Sequence, residues 1–162
     1  MKRKFWAGIF CTLCLTLFGC DYFNSKELIP GQSSSEDVRV RFGPPQRVWL
    51  NADDTVTWEY SRQPQGTECY MITLDKNLVL AKIEQVLTHE NLAKIASGMT
   101  EETVLRTLGK PGGKERFDLK PHEEVWSWRI EDTQLNDPVF FDVYFVAPGV
   151  VARTGQHSTP RK

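Results

Sequence analysis

A motif of Val, three residues, Phe or Leu, Gly, any residue and Pro is written twice in this chain, each time leading into a Trp-x-aromatic segment. The first copy is Val38, Phe42, Gly43 and Pro45, followed by Trp58 and Tyr60; the second is Val104, Leu108, Gly109 and Pro111, followed by Trp126 and Trp128. A unit that returns after about 66 residues constrains the architecture more than any single residue does, because each copy is one supersecondary piece that must bury its apolar face against a neighbour. Small tandem units offer no deep cleft, which points away from an enzyme.

In the first copy, Ser34 or Ser35 is placed to cap a short helix whose opening turn carries Glu36 and Asp37, acids suited to the positive helix N-terminus. Val38 and Phe42 lie four apart and share one face. Gly43 supplies a left-handed stop and Pro44-Pro45 forbids continuation. The second copy repeats the device with Thr100, Glu101 and Glu102, then Val104 and Leu108, then Gly109-Lys110-Pro111. A helix of two turns cannot bury itself and must lie on the strands that follow.

Those strands show period two. Val56, Trp58 and Tyr60 alternate with Thr55, Thr57 and Glu59; Tyr70, Ile72 and Leu74 alternate with Met71 and Thr73; a third run spans Leu78 to Val86 after an Asp75-Lys76-Asn77 turn. In the second unit Trp126, Trp128 and Ile130 alternate with Ser127, Arg129 and Glu131, then Phe141, Val143 and Phe145 alternate with Asp142 and Tyr144. Gly112-Gly113 reads as a turn, Val150 to Arg153 as a last short strand, and His89 to Ile95 as a further short helix. The expected fold is α+β, two tandem repeats over residues 28–87 and 88–154, each of short helices packed on a three- to four-stranded antiparallel sheet. Residues 155–162 are expected to be a flexible tail.

The N-terminus predicts location. Lys2, Arg3 and Lys4 precede an apolar run from Phe5 to Phe18, shorter than the roughly 20 residues of a spanning helix, and Leu17-Phe18-Gly19-Cys20 closes it. This reads as a signal peptide over residues 1–19, with a lipobox that sets up acylation on Cys20 and a lipidated tether over residues 20–27. A diacylglyceryl thioether plus an N-acyl chain, at roughly 0.8 kcal/mol per buried CH₂, anchors far more firmly than one chain.

Cysteine use agrees. Cys11 and Cys14 leave with the leader and Cys20 is acylated, so Cys69 stands alone and no intrachain disulfide can form. Within Glu68-Cys69-Tyr70-Met71-Ile72 it reads as a small packed hydrophobe; nothing local to Cys69 or His89 supports a nucleophile and base. Loss of the leader takes the formal charge from −1 to about −4, which is no electrostatic footprint for nucleic acid. His89, His122 and His157 have no second His at ligand spacing, and Gly-x-Ser-x-Gly and phosphate-cradling glycine loops are absent. No catalytic residue, metal or cofactor is therefore expected.

The motif residues themselves are read as structural. Gly43 and Gly109 stop helices, Pro45 and Pro111 launch strands, and Trp58 and Trp126 fill the helix–sheet interface. Partner contacts are sought off the core face: Trp49, whose counterpart region Lys114-Glu115-Arg116-Phe117 is largely charged, and Arg129 with Tyr144, which share an outward face by alternation.

The pattern Gly-x-Ser/Thr-x-x-x-Val-x-x-x-Leu-Gly-x-Pro, met in full from Gly98 through Thr100, Val104, Leu108 and Gly109 to Pro111, resembles the signature of the BamE (SmpA/OmlA) outer-membrane assembly lipoproteins. The first copy departs from it by one extra residue between Gly31 and Val38 and by Phe42 in place of Leu. The best-known members carry one unit; a doubled unit is similar to the β-lactamase-inhibitor proteins, which rely on disulfides that this chain lacks. The resemblance implies a non-enzymatic, protein-binding lipoprotein that faces the periplasm and assists assembly of outer-membrane β-barrel proteins, with other assembly lipoproteins and anionic lipid as contacts. An enzyme inhibitor and an envelope scaffold unrelated to barrel assembly are the alternatives. The resemblance points to the outer membrane, whereas Asp21, directly after Cys20, resembles a retention signal for the inner membrane.

Overall fold

A computed structural model describes residues 25–117, 120–131 and 137–159, the side chains of residues 117 and 120–122 aside. The expected signal peptide over residues 1–19, Cys20, Asp21 and residues 160–162 lie outside these residues.

The chain forms two four-stranded antiparallel sheets, each a meander in sequence order. The first holds β1 (Arg47–Leu50), β2 (Val56–Ser61), β3 (Cys69–Leu74) and β4 (Leu80–Gln85); the second holds β5 (Gly113–Phe117), β6 (Lys120–Ile130), β7 (Val139–Val146) and β8 (Val150–Ser158). Helix α1 (Ser35–Phe42) precedes the first sheet, and α2 (His89–Ala93) and α3 (Glu101–Leu108) precede the second.

The two halves are built by the same local chemistry. Ser34 caps α1 in a reciprocal box, its Oγ accepting from the Asp37 N–H at 3.2 Å while Asp37 accepts from the Ser34 N–H at 2.8 Å. Thr100 caps α3 by accepting from the Thr103 N–H at 3.2 Å. Both helices end on a glycine that no side chain could replace without strain, Gly43 at φ 80° and ψ −166° and Gly109 at φ 76° and ψ −168°. In each half an aromatic from the second strand reaches that glycine's carbonyl: Tyr60 Oη donates to Gly43 at 3.1 Å and Trp128 Nε1 to Gly109 at 3.0 Å. The turn before each helix is likewise zipped to the last strand, by Gly31 N–H to Leu80 O at 2.7 Å and by Gly98 N–H to Val151 O at 2.8 Å.

Packing then joins the halves. One face of the first sheet, with Trp58, Tyr60, Tyr70, Ile72 and Leu74, buries Val38 and Phe42 of α1. Its other face contributes Cys69 and Met71 to the core of the second half, where Val104 and Leu108 of α3 meet Trp126, Trp128 and Phe145. The layers therefore run α1, first sheet, α3, second sheet.

Several elements differ from the sequence expectation for physical reasons. Met71 and Glu59, on the polar-alternating side of their strands, are buried because the second half covers that side. Strand β8 continues to Ser158 in register with β7, so residues 155–158 are sheet and not tail. Gly113 opens β5, which adds a fourth strand as β1 does in the first half. Leu78, at φ 61°, belongs to the turn, where the Asp75 carboxylate accepts the N–H of Asn77 and Val79, so β4 starts at Leu80. Helix α2 ends at Ala93, although Ile95 is buried beyond it. Residues 25–27 are helical and Leu28 is buried, so the first half is tied down from its first residue.

Candidate functional site

Polar side chains gather at the junction between the halves and on the outer face of the second sheet. At the junction, the fully buried Glu59 carboxylate accepts the Lys110 N–H at 2.6 Å and the Trp49 indole N–H at 3.1 Å, with the Arg47 guanidinium 3.9 Å away. Every contact satisfies a group that burial would otherwise leave costly. Cys69 packs against Gly109, where a β-carbon would collide with its Sγ. Burial first, then the neighbouring Glu59 carboxylate, push the Cys69 thiol far above its ordinary range, which suppresses the reactive thiolate.

Trp49, sought as a partner contact, is half-buried against the second core, with the Arg47 and Arg106 guanidinium groups 4.9 and 4.6 Å from its ring. Its ring is used within the molecule. The contrast with the charged counterpart region marks the junction, because only the first sheet has a half stacked behind it.

The outer face of the second sheet brings together residues that the chain spaces far apart. Strand registers pair Ser127 with Asp142, Arg129 with Phe140 and Val125 with Tyr144, so all six share one face. Asp142 is buried between two donors: Ser127 Oγ donates to Oδ1 at 2.6 Å, and His157 Nδ1 bonds Oδ2 at 2.6 Å. The His157 ring stacks on Phe140 with centroids 5.1 Å apart and planes at 13°. A shallow groove of about 550 Å³ runs over this face, walled by Phe140, Tyr144 and Pro64 and floored by Ser127, Asp142 and His157.

Ser, Asp and His in contact invite comparison with a hydrolytic triad, and the order of contacts decides against it. A serine nucleophile needs the imidazole at its hydroxyl and the carboxylate behind the imidazole. Here the carboxylate sits between the other two, so the hydroxyl proton is already committed to Asp142. The arrangement orders side chains on the outer face of the second sheet. Sequence reading missed it because His157 fell in the expected tail and Asp142 looked like an ordinary outward residue. The available signal was an acid between Phe141 and Val143 whose neighbouring strand offers Ser127 at the matching position.

Arg129 and Tyr144 do lie on this face. Arg129 Nη1 donates to the Gln65 carbonyl at 2.7 Å, and the Arg153 guanidinium covers the Tyr144 ring at 3.2 Å. The loop after β2 reaches here from the first half: Gln63 bonds both backbone groups of Arg129, giving Nε2 to O at 2.7 Å and accepting N–H at 2.9 Å. In the first half Gln46 makes the same two bonds to Ser61, at 2.9 and 3.1 Å. The position that matches Gln46 in the second half is Gly112, where a side chain would strike Gln63. One half thus lends the other an amide, and glycine leaves room for it.

Of the remaining sequence candidates, Trp58, Tyr60, Trp126 and Trp128 are buried as described, and Pro111 is buried at the launch of β5 while Pro45 is partly so. Among the described residues, no group of three His, Cys, Asp or Glu is placed to hold a metal ion, and no helix is long and apolar enough to cross a membrane.

This geometry defines a two-part α+β protein whose halves share a helix layer. No family model matches the chain, and no curated protein does. Among solved structures it is similar to a DUF4309 family protein (YjgB) from Bacillus subtilis, at 17% identity over 84% of this chain and 85% of that one, with a TM-score of 0.33. None of these comparisons ties the chain to the BamE-like lipoproteins or to the β-lactamase-inhibitor proteins, so that resemblance rests on the motif residues.

Proposed function

We propose that the protein is a non-enzymatic, lipid-anchored lipoprotein of the bacterial envelope that binds other proteins, and that it serves as an accessory factor in outer-membrane β-barrel assembly. The observation that carries this reading is the leader that ends in Leu17-Phe18-Gly19-Cys20 ahead of a chain bearing the doubled motif. In support, the motif residues are spent on stopping helices and filling cores, which leaves recognition to the surface, and the outer face of the second sheet presents aromatic and polar side chains together. Leu28, which is buried, lies eight positions beyond Cys20, at most about 29 Å when extended, so an acylated Cys20 would hold the first half close to the bilayer. The outer membrane is favoured over the inner on the resemblance, against Asp21.

A second reading, an inhibitor that docks its sheet onto an enzyme, is favoured by the groove walled by Phe140 and Tyr144. Affinity capture of the intact lipoprotein from mildly solubilised envelopes separates the two. Recovery of barrel-insertion components supports the main reading; their consistent absence, with an enzyme retained instead, supports the inhibitor.

A further inference from the structure

The exposed large hydrophobic side chains among the described residues, Ile29, Val40, Val48, Leu50 and Leu78, all belong to the first half. Three of them have exact structural counterparts in the second half, and each counterpart is basic: Arg106 for Val40, Lys114 for Val48 and Arg116 for Leu50. The basic residues are employed within the molecule. Arg106 stacks on Trp49, the Lys114 ammonium lies 3.4 Å from the Trp126 ring centroid, and Arg116 bonds Glu124 at 2.7 Å. Lysine and arginine on β5 also do what charges commonly do on an edge strand, which is to discourage another strand from pairing there. Strand β1 is the matching edge of the first sheet and bears Val48 and Leu50, 49% and 75% exposed, in their place. The fold tolerates charge at these positions, as β5 demonstrates, so the apolar choice on β1 is not imposed by folding.

The geometry points to β1 as the contact through which two copies of this chain pair, antiparallel about a two-fold axis, into one continuous eight-stranded sheet. Self-complementarity selects a second copy. Val48 and Leu50 sit on the α1 side of the strand, because Val48 pairs with the α1-facing Trp58 and Leu50 with Val56. Setting Trp49 opposite its two-fold mate puts Val48 opposite Leu50 of the other copy, and Leu50 opposite Val48, on one face. The same register sets Arg47 opposite Asn51 of the other copy, so the basic start of the strand lies beside the acidic Asp53-Asp54 turn that follows it in that copy. An isologous contact of this kind closes on itself and covers the β1 edge of each copy. It does not depend on the envelope reading, and it leaves the outer face of the second sheet free for another partner.

The test is sedimentation velocity of the full chain in density-matched detergent across a concentration series, with two double variants, V48K/L50K and V48E/L50E. Wild type should associate to a dimer. Each variant alone should associate on the order of a hundredfold more weakly, since like charges then face each other at both symmetry-related pairs. An equimolar mixture of the two variants should recover the dimer, because every lysine then faces a glutamate. Unchanged circular dichroism and melting midpoints would show that both variants fold. A wild type that stays monomeric, variants that dimerise as wild type does, or a mixture that stays monomeric would each overturn the proposal. So would a monomer whose β1 amides gain exchange protection only when an extended synthetic peptide of alternating valine and threonine is added, an outcome that would assign the edge to a partner's strand.

Discussion

Replacing Gly109 by Ala should cost far more than replacing Gly43 by Ala, although the two glycines have nearly the same backbone. Both sit at φ near +80° with extended ψ, a region that carries about 1–3 kcal/mol of strain for a residue with a β-carbon, and this cost is common to both. The surroundings differ. A β-carbon at Gly43 meets nothing within 4 Å, whereas at Gly109 it collides with Cys69 Sγ and comes 3.4 Å from Glu59 Oε1. Overpacking of a filled core adds about 1–3 kcal/mol. Gly43→Ala should therefore destabilise by about 1–3 kcal/mol and Gly109→Ala by about 2–6 kcal/mol. Urea unfolding, followed by tryptophan fluorescence and circular dichroism, measures both. A double-mutant cycle with Cys69→Ala identifies the cause: with the sulfur gone, the added cost of Gly109→Ala should fall to that of Gly43→Ala. If the two glycine variants cost the same, or if the cycle shows no coupling, the second half does not press on the back of the first sheet at this point.

Two further outcomes can be checked directly. Cys20→Ala should move the protein from washed membrane pellets to the soluble fraction, and retention in the pellet would refute lipid anchoring. The Glu124 carboxylate, which accepts from the Trp126 indole at 2.7 Å and pairs with Arg116, is held below the ordinary carboxylate range, first by the indole hydrogen bond. A depressed folded-state pKa contributes stability that is complete above the unfolded value, about 4.3, and is lost as pH falls through the folded value. Glu124→Gln should therefore flatten the acid limb of a stability–pH profile below about pH 4, and an unaltered limb would show that this contact is not formed in solution.

Much of the fold could be read from local signals because those signals are local physics. Ser34, Thr100, Gly43 and Gly109 cap and stop helices through their own backbone neighbours, and Trp58, Trp126 and their alternating partners declare a covered sheet face. Glu59 and Met71 were legible only as strand residues, and Cys69 as a packed one without its neighbours. Nothing within their own segment says that α3, some forty residues later, will cover the side from which they project. An acid at Glu59 reads as solvent-facing until Lys110 and Trp49 are seen to donate to it. The outer face of the second sheet was half legible: alternation placed Arg129 and Tyr144 there, while the Asp142 contacts depend on a strand, β8, whose polar composition resembles a tail. Trp49, read as a candidate contact from its charged counterpart region, packs in part against the second core, a placement that its own segment does not announce.

The middle strands of the first sheet are covered on both faces, by α1 over Trp58, Tyr60 and Ile72 and by the second half over Glu59, Cys69 and Met71, so the two halves should unfold as one cooperative body. Native-state hydrogen exchange tests this most directly, by comparing opening free energies for the amides of β3 with those of β6 and β7. The stacked arrangement predicts that the most protected amides of both sheets open together, at the free energy of global unfolding. Exchange of β3 through a separate, lower-energy opening, with β6 and β7 still protected, would contradict it.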